Sequence, residues 1–189
     1  VVPALAMDAS SIQTVLFMPI SYVPSQPDGS RIAYSRSDWQ SPGMTYHEIC
    51  SMNPDGSDID KLIDNPAIYG SFPKWSPDGS KIADTGYNDT SDKSELFTIN
   101  SSGADRTTLS EGLSRARDPS WSPESRKVAF VEVVEEYPSY RTEIYSVNND
   151  GSNLRRLTDT EVSAYSPQWS PDGNRIVYGV LQDGNRDIF

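Results

Sequence analysis

The chain has 189 residues, 35% of them hydrophobic and 10% aromatic, enough for one ordinary domain whose core leans on large rings. Its 27 acidic and 16 basic residues leave a net charge of -11, dispersed along the chain, which disfavours nucleic-acid and anionic-membrane partners by repulsion. No apolar run reaches the roughly 20 residues of a membrane helix, and the single cysteine, Cys50, excludes an internal disulfide framework and a thiolate-rich zinc site.

In chain order, the first predicted element is "ALAMDASSIQTVLF", a shortened pair of strands in which Met7-Asp8 stand for Val147-Asn148 and Ile12 and Val15 for Leu154 and Leu157. The opening "VVPALA" also has the small-x-small pattern that precedes a signal-peptidase cut, without the basic start that such a leader carries. A repeat then begins. Pro27, Pro77, Pro123 and Pro171 are spaced by 50, 46 and 48 residues, and a second turn follows in three units as "MNPDG", "INSSG" and "VNNDG", with Leu62, Leu109 and Leu157 six residues beyond each glycine. Between these turns lie short runs bounded by turn residues: "SRIAYS", "SKIADT", "RKVAFV" and "NRIVYG", then "HEICSM", "SELFTI", "TEIYSV" and "RDIF", then "DIDKLI", "DRTTLS" and "NLRRLT". Their length and their β-branched and aromatic content predict strands and not helices.

The turn chemistry fixes the hairpins. In "WSPDG" the proline presets φ for a type I turn, the Ser and Asp oxygens accept backbone N–H groups, and glycine takes the left-handed closing position. In the third unit, "WSPES", Ser125 replaces that glycine at an expected cost of about 1 kcal/mol. In the first unit Ser25 stands where the others have tryptophan.

Both faces of each second strand are apolar: Ile32, Ile82, Val128 and Ile176 lie on one with Tyr34, Phe130 and Tyr178, and Ala33, Ala83, Ala129 and Val177 on the other. A small sheet with two apolar faces must be sandwiched between neighbours, and radial stacking of such sheets gives an all-β propeller of four-stranded antiparallel blades, about four blades' worth in this chain. The expected division is a partial blade over 1–20, blades over 21–66, 67–113 and 114–162, and a partial blade over 163–189 complementary to the first. A closed four-blade ring, two chains sharing eight blades, and part of a longer chain all accommodate this pattern.

"PQWSPDGNRIVYG" and "EIYSVNNDGSNLRRLT" resemble the WD-like Pro-Asp propeller repeat of the TolB type, over about Ser21 to Phe189. The resemblance implies a propeller. It points less sharply to function, since such repeats occur in periplasmic translocation proteins, in substrate-gating domains of serine peptidases and in surface proteins.

Catalytic signals are sparse. His47 is the only histidine, no G-x-S-x-G elbow is present, and Cys50 aligns with Phe97, Tyr145 and Phe189 at an apolar strand position, so no catalytic residue is expected. Every Asp-Gly or Ser-Gly lies in a β-turn, leaving no phosphate cradle, and no cofactor is expected. The oxygen-rich segment Asn53 to Lys61 reads either as a calcium loop lacking an EF-hand glutamate or as a plain solvated turn. Asp84, where other units carry Tyr or Phe, is either a ligand-facing acid or an aspartate bonded to nearby backbone.

The two kinds of Gly-containing turn fall on one rim and are uniform. On the opposite rim the loops vary in length and content and gather aromatics with charges, as binding faces do. Trp39, Tyr46, Tyr69, Tyr87, Tyr137 and Tyr140 are the expected contact surface there, with Arg115 and Arg117 as anchors. The expected function is a noncatalytic binding or assembly module for a protein or glycan, extracellular or periplasmic, with a homo-oligomer or closure through the chain ends. The alternative is the gating propeller of a serine peptidase.

Overall fold

The computed structural model of the chain describes residues 25–41, 44–63, 68–70, 73–88, 90–135, 139–182 and 185–189, with side chains at all of these except 37–41, 44–47, 68–70 and 186. The proposed strands around Met7, Ile12 and Val15 lie outside the described residues. Among those described there is no helix, and the strands form four antiparallel sheets.

Sheet A holds β1 (Ile32–Ser41), β2 (Met44–Met52) and β3 (Asp60–Ile63) in that order. In sheet B the inner strand comes in two pieces, β4 (Ile68–Gly70) and β5 (Lys74–Trp75), both paired with β6 (Lys81–Asn88), which is followed by β7 (Lys93–Asn100) and β8 (Thr107–Thr108). Sheet C runs β9 (Ala116–Trp121), β10 (Lys127–Glu135), β11 (Arg141–Asn148) and β12 (Arg155–Arg156). Sheet D has β13 (Ser163–Trp169), β14 (Ile176–Gln182) and β15 (Asn185–Ile188).

Each turn behaves as its residues dictate. In the second unit the Gly79 N–H donates to Ser76 O at 2.9 Å, the Ser76 hydroxyl donates to Asp78 Oδ1 at 2.6 Å, and Asp78 Oδ1 accepts the Ser80 N–H at 3.0 Å. Ser170 and Asp172 repeat this arrangement in the fourth unit. Ser125 keeps the left-handed conformation at φ 59, and its hydroxyl oxygen accepts the Asp78 N–H of the preceding unit at 3.0 Å. The expected cost is therefore offset in part by a bond that glycine could not accept.

The alternating faces pack sheet upon sheet. Ala33, Ile49, Leu62 and Ile63 of sheet A meet Trp75, Ile82, Phe97 and Ile99 of sheet B. Ala83, Leu96 and Leu109 of sheet B meet Ala116, Trp121, Val128, Phe130 and Val147 of sheet C. Val131 and Ile144 of sheet C meet Ala164 of sheet D, with Tyr165 and Tyr178 against them. The turn tryptophan points back each time, and the Trp121 indole N–H donates to Lys74 O of the preceding unit at 2.9 Å. Close approach also fixes Gly103, at φ 85, where a Cβ would lie 2.2 Å from Leu62 O of sheet A. Small antiparallel sheets stacked about a common direction define a β-propeller, here an arc whose last sheet stays open on its outer face, with Ile188 80% exposed.

Candidate binding rim

The chain path places two sets of loops at opposite ends of the sheets. The second-turn ends lie against the Pro-Asp turns: the Ser101 N–H donates to Ser80 O at 3.2 Å and the Asn149 N–H to Arg126 O at 2.9 Å. The other end carries the loops between second and third strands and the connections from one sheet to the next. In sheet C these come together as an open depression lined by Glu135, Ser139, Tyr140, Arg141, Asp159, Thr160, Glu161 and Ser163.

Tyr140 is 52% exposed, and the Arg117 guanidinium sits over its ring at 5.5 Å, so one anchor and one aromatic are joined by a cation–π contact. The Arg117 Nε is buried without a hydrogen-bond partner. Arg115 is exposed, bridged to Ser94 in parallel fashion, and its N–H donates to Glu132. Tyr87 is half-exposed, donates its hydroxyl to Asp92, and lies opposite Tyr69 in the β4–β6 register. Trp39 lies in β1 and Tyr46 in β2, opposite Asp38, but their side chains, with that of Tyr69, lie outside the described set, as does Tyr137 entirely.

Beneath this rim lies a network that sequence reasoning missed. Glu143 is fully buried and accepts Arg141 at 2.6 Å, Arg156 at 2.8 Å, the Thr160 N–H at 3.0 Å and the Thr158 hydroxyl. Burial pushes its pKa up, but these bonds, with Thr158 foremost, outweigh it and hold the carboxyl below its ordinary value. Arg141 also binds Glu135 at 2.5 Å and Thr160 O at 2.8 Å, pinning the loop wall of the depression. Glu48 and Glu95 take the same place in β2 and β7, paired with Arg36 and Lys61 and with Arg106. The available signal was an acid at one register in every third strand, "HE", "SE", "TE", with basic residues in the fourth.

Glu132 stands across from Glu143 in the β10–β11 register. It is 3% exposed; its Oε1 accepts the N–H groups of Ser114 and Arg115 at 2.8 and 3.0 Å, while Oε2 has no partner. Burial is the largest influence and raises its pKa.

Other sequence candidates have structural partners. Asp84 is buried and its Oδ1 accepts the Thr85 N–H at 2.7 Å. In the oxygen-rich turn Asp58 and Asp60 bind Arg31 at 2.8 and 2.6 Å, and Asp55 accepts the Ser57 N–H. Cys50 is buried, and burial raises its thiol pKa; the His47 side chain lies outside the described set.

Stacked four-strand units with uniform turns on one rim and a charged, aromatic depression on the other make this chain a propeller of the Pro-Asp repeat class. It belongs to the TolB beta propeller domain family, whose model matches residues 26–189. A protein assigned as TolB from Agrobacterium tumefaciens is 25% identical with a TM-score of 0.66, over 85% of this chain and 53% of that one. TolB from Acinetobacter baumannii is 22% identical with a TM-score of 0.64, over 88% and 39%. The acylaminoacyl peptidase of Pyrococcus horikoshii, 16% identical with a TM-score of 0.58 over 85% and 30%, shares the fold. The chain thus spans about half or less of the length of these solved chains. No curated protein matches it.

Proposed function

We propose that the chain is a noncatalytic binding or assembly module that works outside the cytoplasm and holds a protein or glycan on its variable rim. The observation that carries this reading is the Arg117–Tyr140 pair beside the depression walled by Arg141 and Glu135, an exposed aromatic with fixed charges around it. The uniform rim, by contrast, has its turn oxygens and N–H groups engaged within and between turns. Family membership supports the location.

Tyr140→Ala and Arg117→Ala are expected to lose at least about tenfold in affinity for the retained partner in a glycan array or pull-down from periplasmic or secreted extract, with circular dichroism unchanged. Retention undiminished in the double variant contradicts the reading. Likeness to a peptidase propeller favours a second reading, a gating domain, which requires that the native polypeptide carry a serine reactive toward a fluorophosphonate.

A further inference from the structure

In sheets A, B and C one face is given over to the sheet that follows. Ala33 and Ile49, then Ala83 and Leu96, then Val131 and Ile144 fill these three interfaces. By the repeat alignment the corresponding positions in sheet D are Val177 and Ile188, which alternate with Tyr178 and Val180 that face back toward sheet C. They are not covered: Val177 is 42% and Ile188 80% exposed, and Leu181 beside them 47%. Leu157 is exposed too, although its equivalents Leu62 and Leu109 are buried.

At the other end of the arc, sheet A holds Ile32, Tyr34 and Met52 half-buried on the face away from sheet B. In sheet B these positions are Ile82, Asp84 and Ile99, and in sheet C Val128, Phe130 and Val147, the side that packs on the preceding sheet. The molecule therefore ends in one socket face and one plug face of an interface it already makes three times.

We propose that a second copy of this chain seats its sheet A on sheet D, so that two arcs share one ring. Residues 1–24 are too few to act as the cover. Each unit that fills such an interface spends 46 to 50 residues on it, and half that length supplies at most a hairpin. The two TolB chains that resemble this one are about two or more times longer, so their rings hold more than four such sheets' worth of chain. An internal sheet interface repeated between copies is a heterologous contact, and it closes without fibres only when the rotation completes a ring.

Sedimentation equilibrium of the 189-residue chain is expected to show a dimer, loosened at least about tenfold by Val177→Asp and by Ile188→Asp, both of which charge an open surface of the monomer and leave circular dichroism unchanged. Ile59→Asp, at an exposed position on the turn of sheet A, is the control that leaves the dimer intact. A monomer at every concentration overturns the proposal, whether sheet D stays open or residues 1–24 cover it. So does a dimer indifferent to both aspartates, or a fibrous polymer.

Discussion

Ser125 shows how one side chain can recover part of the energy that its backbone costs. Its φ of 59 is the conformation glycine holds at 79 and 173, and its hydroxyl takes the Asp78 N–H that would otherwise lack this bond. Ser125→Ala keeps the strain and loses the bond, so urea unfolding should show a loss of about 1 kcal/mol. Ser125→Gly loses the same bond but releases about 1 kcal/mol of left-handed strain, for a net change near zero. The turn itself was legible because Ser, Pro, Asp and Gly act within five residues. The compensating bond was not, since Asp78 lies 47 residues away and only stacking brings it near. Asp84 is similar: a residue out of pattern was visible in the alignment, and its bond to the Thr85 N–H required coordinates.

At the scale of strands, the third-strand glutamates tie adjacent elements together and give the fold opposed pH dependences. Glu143 is held below its ordinary value of 4.5, so its contribution is present above that value and is lost as pH falls through the folded pKa. Glu132 is raised by burial above 4.5, so the unfolded chain ionises first and stability declines as pH rises from 4.5 toward the folded value. Glu143→Ala should cost about 3 kcal/mol at pH 7, because Arg141 and Arg156 lose a shared buried partner. Glu132→Gln should be at least as stable as the parent at pH 7 and should flatten the decline above pH 4.5 in chemical denaturation across pH. The rim position of Arg117 and Tyr140 followed from loop placement. The network under them did not, because it joins β11 to β12 and to the connection beyond, pairings that single-strand patterns do not encode.

Taken whole, the arc is a row of units that touch only neighbours, and its stability should be distributed accordingly. Sheets B and C are covered on both faces, whereas sheet D leaves Val177, Leu181 and Ile188 open. Native-state hydrogen exchange should find β6, β7, β10 and β11 slowest and β14 and β15 orders of magnitude faster in the monomer. Equal protection throughout would mean that the sheets unfold as one. Propeller architecture was readable because the phase of the turns repeats at 50, 46 and 48 residues. The open end was not, since Val177 and Ile188 look in sequence like the buried Ala33 and Ile49.

The backward reach of each unit, Trp121 to Lys74 and Ser125 to Asp78, has a consequence for how such molecules grow. Because a unit grips the same places on its predecessor whatever its rank, a tandem duplication of one unit's coding length inserts a part that already fits on both sides. Lineages built on this grammar can change circumference by recombination, and mutation is then free to rework the loops that differ.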